Sequence, residues 1–211
     1  MGNIFAIGDI HGCYDKLVAL MEQLDIDYSQ DTVVFLGDYI DRGPDSFQVV
    51  DYLLRFKARH PGTIFLKGNH EALLLRYLEG RDRPIYLVNG GRQTLASYRQ
   101  NTMRPADDPI PQDHIDFFNS LDLYYATEDY IFVHAGIRPG VPLEFQTEED
   151  LLWIRAAFIH TPWVPERRVV YGHTPTRKPQ IHENRIGIDT GAVYGGHLTC
   201  VKLPQQTFFN A

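Results

Sequence analysis

Apolar residues along this chain fall into short continuous runs, several of which end on or beside glycine. Residues 3–7 (NIFAI) run into Gly8, residues 32–36 (TVVFL) into Gly37, and residues 63–66 (TIFL) into Lys67-Gly68. β-Branched and aromatic side chains dominate these runs, which predicts short buried strands. Between them the period lengthens. Leu17, Val18, Leu20, Met21 and Leu24 form a helical stripe behind Asp15 as N-cap, and Phe47, Val50, Leu53, Leu54 and Phe56 form another behind Ser46. A third helix is expected over residues 71–78. This β-α-β-α-β-α order predicts a mainly parallel sheet with right-handed crossovers and ligands at the carboxyl ends of its strands.

The middle of the chain changes character. Residues 81–84 are a charged break, residues 86–98 read as helix apart from Asn89-Gly90-Gly91, residues 102–111 form a Pro/Asp-rich loop, and residues 114–121 a short helix. That stretch is too short for its own core and reads as a helical insertion beside the site, and whether its loop acts as a lid is left open. Strands return at 123–127 and 130–134, a hairpin around Glu128-Asp129, and continue at 169–171, 181–184, 186–188 and 198–203. The residues after Pro204 read as a loosely held tail. A length of 211 residues with 44% apolar content suits one domain over 1–211.

Charge narrows the function more than composition does. A formal net charge of −7, from 20 basic and 27 acidic groups, argues against a general nucleic-acid or membrane binder. It still permits a local phosphate pocket, which needs only a few arginines. Cys13 and Cys200 lack CxxC spacing and read as reduced, buried thiols. No leader-like or membrane-spanning run is evident, so a cytoplasmic protein is expected.

The candidate chemistry sits at the strand ends. Asp9 and His11 follow the first run, Asp38, Asp41 and Arg42 the second, and Asn69 and His70 the third; His134 and His173 end two later runs. Any one of these histidines is more often structural than a ligand, and a Gly-Asp pair is more often a plain turn. Their recurrence in five blocks is what carries the reading. Oxygen and imidazole donors without thiolate favour two divalent cations, manganese first, with iron or zinc possible. Asp9 and His11 are assigned to one cation, Asn69, His134 and His173 to the other, and Asp38 bridges them. Two cations ~4 Å apart make a water between them acidic enough to attack at neutral pH. His70 is assigned as the acid for the leaving oxygen and Asp41 as its orienting partner. Arg42 and Arg155 are assigned to a bidentate phosphate clamp. His60, His114, His160 and His182 are given surface or structural roles, Trp153 and Trp163 packing roles, and His197 is left open.

The blocks GDIHG (8–12), GDYIDRG (37–43), GNHE (68–71), HAG (134–136) and GHT (172–174) resemble the signature of the calcineurin-like metallophosphoesterases, within them the phosphoprotein phosphatases. VNGG (88–91), LWIR (152–155) and IDTGAV (188–193) strengthen the resemblance to compact phage-type members. It implies an α/β fold, a β-sandwich of two mixed sheets flanked by helices, in place of one parallel sheet. It also implies the ligand, acid and clamp roles given above, with no motif position substituted. The substrate it implies is a phosphomonoester, above all phosphoserine or phosphothreonine in a phosphorylated protein, or a small phosphoester. GDIHGCYDKL (8–17) and IDTGAVYGGHLTC (188–200) resemble instead a related branch that cleaves diadenosine tetraphosphate symmetrically. A non-catalytic metal-binding scaffold is the remaining alternative.

Overall fold

In β1 (Ile4–Ile7), Phe5 and Ile7 pack into one core while Ala6 packs into another; β2 (Thr32–Phe35) repeats this with Val33 and Phe35 against Val34. A strand sends alternate side chains to opposite faces, so an unbroken apolar run signals burial on both. The computed structural model describes residues 2–105, 109–162 and 165–211. One five-stranded sheet has the order β10-β9-β1-β2-β3, with β3 (Ile64–Phe65), β9 (Thr199–Leu203) and β10 (Thr207–Asn210). The other has the order β4-β5-β6-β8-β7: β4 (Tyr124–Ala126), β5 (Tyr130–Val133), β6 (Arg168–Tyr171), β7 (Gln180–Ile181) and β8 (Arg185–Gly187).

Between the sheets lies a core of Ala6, Val34, Leu36 and Leu66 against Phe132, Val170, Ile186 and Ile188. Outside the first sheet pack α1 (Tyr14–Met21), α2 (Ser46–Arg59) and α3 (Asn69–Leu78). The insertion joins them as α4 (Arg83–Tyr86), a wide turn over Leu87–Gly91, α5 (Arg92–Asn101) and α6 (Gln112–Asn119). Outside the second sheet, Leu151 of α7 (Glu148–Trp153) and Phe158 of α8 (Ala156–Ile159) cover Ile131, Val133, Val169 and Tyr171.

Each sheet is mixed. The pairs β1–β2, β2–β3, β5–β6 and β6–β8 are parallel, while β1–β9, β9–β10, β4–β5 and β7–β8 are antiparallel. The single parallel sheet expected from the first half is therefore replaced by the two-sheet sandwich. The expected loose tail is an edge strand: β10 pairs with β9 from Thr207↔Lys202 to Asn210↔Thr199, and Phe208 and Phe209 pack on opposite faces. Two caps also differ. α1 starts at Tyr14 behind Cys13, and Asp45 precedes α2, because the Ser46 hydroxyl bonds to the Asp41 amide and Thr94. Cys13 is half-buried, Cys200 is buried, and both are free. Among the described residues no helix is long and apolar enough to cross a membrane. The lid question over 102–111 falls partly, and Trp163 wholly, outside the described residues.

Candidate metal centre

Parallel strands of both sheets deliver their carboxyl ends to one edge of the sandwich. Asp9 and His11 leave β1, Asp38 leaves β2, Asn69 and His70 open α3 after β3, His134 follows β5 and His173 follows β6. The third helix begins two residues earlier than expected, which puts Asn69 and His70 in its first turn. The turns are tight. Among the described residues, non-glycine residues with positive φ include His11 (47°), Asp38 (53°), Asp41 (72°), Arg42 (68°) and His173 (63°). Such conformations cost ~1–3 kcal/mol each and persist only where the surroundings enforce them. At Asp38 the fully buried Glu71 does so: its carboxylate accepts the peptide N–H groups of Asp38, Tyr39 and Gly68, each at 2.9 Å. Two glycines permit the approach, since a Cβ on Gly68 would strike Asp38 Oδ1 and one on Gly172 would strike Asp9 Oδ1.

The donor atoms have defined tautomers. His11 Nδ1 donates to the Ile40 carbonyl and His134 Nδ1 to the Leu36 carbonyl, both at 2.9 Å. Each Nε2 therefore presents a lone pair. That of His11 lies 3.4 Å from Asp38 Oδ2; that of His134 lies 3.5 Å from Asp38 Oδ1 and 2.9 Å from Asn69 Oδ1. His173 Nδ1 is 2.8 Å from the same Asn69 oxygen. Donor atoms of Asp38, His134 and His173 lie within 4.8 Å of one another, as do those of His11, Asp38 and His70. Asp9 joins neither group; its carboxylate accepts the His173 amide at 3.0 and 3.2 Å.

Electrostatics make the same demand for positive charge. Burial, with Asp189 and Asp38 nearby, raises Asp9 well above the usual carboxylate range. Burial beside Asp38 pushes Glu71 up to about 8 against the pull of its peptide donors, and burial lifts Asp189 to about 6. Burial lowers His11 to about 3 and His173 to about 2, and lowers His134. Burial would raise Asp38 too, but His134, His70, His11 and His173 outweigh it and hold the carboxylate ionised. Neutral imidazole lone pairs, an amide oxygen and a central carboxylate form a donor set suited to divalent cations. Arg42 Nη1 donates to His11 Nε2 at 2.5 Å and Arg155 Nε to His173 Nε2 at 3.0 Å, so both guanidinium groups border this set.

His70 stands apart from the other imidazoles. Its Nδ1 lies 2.7 Å from Asp41 Oδ2, and both side chains are buried. Burial opposes its charged form, but Asp38 and Asp41 more than offset this and hold it above the ordinary histidine range. Asp41 Oδ1 accepts Thr94 Oγ1 at 2.6 Å and the Tyr86 hydroxyl at 3.1 Å. Sequence reasoning missed these two partners, which come from the insertion. It also gave no role to Glu71, although that residue closes the GNHE block, or to Asp189, although a strand-glycine signal marks it. The bystanders are placed as expected: His60 stacks on Tyr28, buried His114 bonds to Tyr98, and His160 and His182 are exposed. Trp153 packs against the helical core and edge-on to His173. His197 is exposed, with its backbone bridged to Gly191.

The chain as a whole is similar to known proteins. The model of the calcineurin-like phosphoesterase family matches residues 2–200. A relative from Bacillus velezensis named Bis(5'-nucleosyl)-tetraphosphatase PrpE [asymmetrical] is 34% identical over 95% of this chain and 88% of its own length. One of the same name from Halalkalibacterium halodurans is 30% identical over 96% and 90%. The crystal structure of a candidate diadenosine tetraphosphatase superposes with a TM-score of 0.77 at 26% identity, covering 100% of this chain and 93% of that one. A Saccharomyces cerevisiae serine/threonine phosphatase shares the fold, with a TM-score of 0.70 at 17% identity, covering 100% and 79%. The chain belongs to the calcineurin-like phosphoesterases and is a phosphoester hydrolase.

Proposed function

We propose that this hydrolase acts on dinucleoside polyphosphates, cleaving a phosphoanhydride of a dinucleoside tetraphosphate asymmetrically. The reaction rests on one observation: side chains from both sheets converge on Asp38 beside the buried His70–Asp41 pair. The substrate class rests on the similarity to tetraphosphatases over nearly the whole chain. Asp9, His11 and Asp38 would hold one divalent cation, and Asp38, Asn69, His134 and His173 a second, with manganese preferred over iron or zinc. When bound there, such cations supply Lewis acidity toward water and phosphoryl oxygens.

The protein's own groups do the rest. Arg42 and Arg155 grip the phosphoryl oxygens with planar donor pairs. Water adds its oxygen to phosphorus, and the bond from phosphorus to the departing oxygen breaks. Where the departing oxygen leaves poorly, as from a serine, His70 passes its proton to it while Asp41 holds the ring in place; a departing nucleotide phosphate depends on that proton much less. For diadenosine tetraphosphate the products are ATP and AMP; symmetrical cleavage would give two molecules of ADP. A phosphoprotein substrate is the second reading, favoured by the GDYIDRG and GNHE blocks and by a clamp that grips phosphate rather than its carrier.

One preparation tests both readings. With added Mn²⁺, diadenosine tetraphosphate, a phosphoserine peptide and p-nitrophenyl phosphate are compared and the nucleotide products are separated. ATP plus AMP, lost on chelation, is the expected outcome. Preferential turnover of the peptide would transfer the assignment to phosphoproteins, and inert protein with full metal occupancy would favour the scaffold.

A further inference from the structure

Next to the clamp lies a groove of about 480 Å³ lined by Arg177, Gly191, Tyr194, Gly195, Gly196 and His197, among others. Tyr194 connects the two regions. Its ring centroid lies 5.7 Å from the Arg42 guanidinium carbon, yet 62% of the residue remains exposed. The turn Ala192–Tyr194 that carries it is well anchored. The Lys16 ammonium reaches across from α1 and donates to the carbonyl of Ala192 at 2.9 Å and to that of Gly196. The Thr190 hydroxyl donates to the His197 carbonyl at 2.6 Å, and the Tyr194 and Gly196 amides both donate to the Gly191 carbonyl at 2.9 Å. The ring is thus held at the surface by a built turn.

The charge of the groove has one sign. Its ionisable side chains besides tyrosine are Arg177 and His197, and no carboxylate lines it. Arg177 is exposed, and no hydrogen bond or ion pair engages its guanidinium among the described residues. An aromatic face beside the uncommitted Arg177 guanidinium, a histidine donor and a glycine floor matches a base joined to several phosphates. A single phosphate already held by Arg42 and Arg155 would make no use of a further guanidinium there.

We propose that this groove is the subsite for the nucleoside polyphosphate portion of the substrate beyond the scissile phosphorus. Tyr194 stacks on the base, and Arg177 and His197 face its phosphates. The assignment rests on the phosphoanhydride reading above and specifies which residues select that substrate.

The test uses Tyr194→Ala and Arg177→Gln; both side chains are exposed, and melting curves check the fold. The first readout is the ratio of kcat/KM for diadenosine tetraphosphate to that for p-nitrophenyl phosphate. The second is the Kd of a methylene-bridged, hydrolysis-resistant diadenosine tetraphosphate analogue by calorimetry. Tyr194→Ala should lower the ratio about tenfold and raise the Kd about tenfold, the scale of one lost stacking contact; Arg177→Gln should move both the same way by about fivefold, the upper scale of one exposed ion pair. A ratio and a Kd both within twofold of wild type would overturn the subsite while the hydrolase reading stands. Wild-type protein inactive on both substrates despite bound manganese would overturn the hydrolase reading and the groove with it.

Discussion

Replacing Thr94 by valine tests how the insertion supports the acid. Thr94 Oγ1 donates to Asp41 Oδ1 at 2.6 Å and accepts the Asp41 amide at 2.9 Å. Valine keeps the shape and removes both bonds, along with the 3.0 Å contact between Thr94 Oγ1 and Ser46 Oγ. The amide is left with Ser46 Oγ at 3.2 Å, and Oδ1 with the Tyr86 hydroxyl at 3.1 Å. A hydrogen bond to a charged group is worth ~1.5–3 kcal/mol, so a loss of about 2 kcal/mol is expected. In a chain of this size that lowers Tm by roughly 4–8 °C. Burial holds Asp41 above the ordinary carboxylate range, with His70, Thr94 and Tyr86 pulling it back, so removing Thr94 raises it further and weakens its hold on the His70 imidazolium. We expect kcat on a phosphoserine peptide to fall about tenfold, equivalent to ~1.4 kcal/mol, and to fall less on p-nitrophenyl phosphate. Tyr86→Phe alone should cost less. Because both hydroxyls serve the same oxygen, the double variant strands a buried carboxylate oxygen and should exceed the sum of the singles by at least ~0.5 kcal/mol. Melting curves, leaving-group series and a double-mutant cycle supply the readings. A Tm within 1 °C of wild type together with an unchanged leaving-group dependence would refute the reasoning.

Three further outcomes can be checked. His70→Asn should retain bound manganese but lose ~10²–10⁴-fold in turnover of phosphoserine, far less when a nucleotide phosphate departs, since that anion needs little protonation; equal losses on both would remove His70 as the acid. Gly68→Ala, whose methyl would sit against Asp38 Oδ1, should raise the manganese concentration needed for half-maximal activity by ~10–100-fold, measured by titration of the metal-stripped enzyme. Arg138 donates to Asp150 at 2.6 and 3.0 Å and, with help from Thr147, keeps that carboxyl below its ordinary range despite partial burial. Its stabilising effect is complete above the unfolded value of ~3.9 and disappears as pH falls through the lowered native value. Wild type should therefore be more stable than Asp150→Asn at pH 7, and the gap should narrow as pH falls below the unfolded value; a gap that does not narrow in acid contradicts this.

Local chemistry alone determined much of this protein. Each strand of the first half could be placed because both of its faces are buried, and each candidate ligand because an acid, amide or imidazole beside glycine at a strand end is a local pattern. The resemblance added the sandwich. Other features depend on partners distant in the chain. Leu36 and His134 meet across the two sheets, fixing an imidazole tautomer that neither segment specifies alone. Thr94 and Tyr86 reach Asp41 only after the insertion folds over α2, and nothing in their own neighbourhood marks them as polar partners of an acid pair. Lys16 sets Tyr194 from a distance of 176 residues to Ala192 in sequence. The final strand was misread because four residues flanked by polar ones resemble a tail until β9 supplies their hydrogen bonds. Spacing and periodicity encode interactions within a segment, whereas second partners, tautomers and edge pairings are decided by which segments the fold brings together.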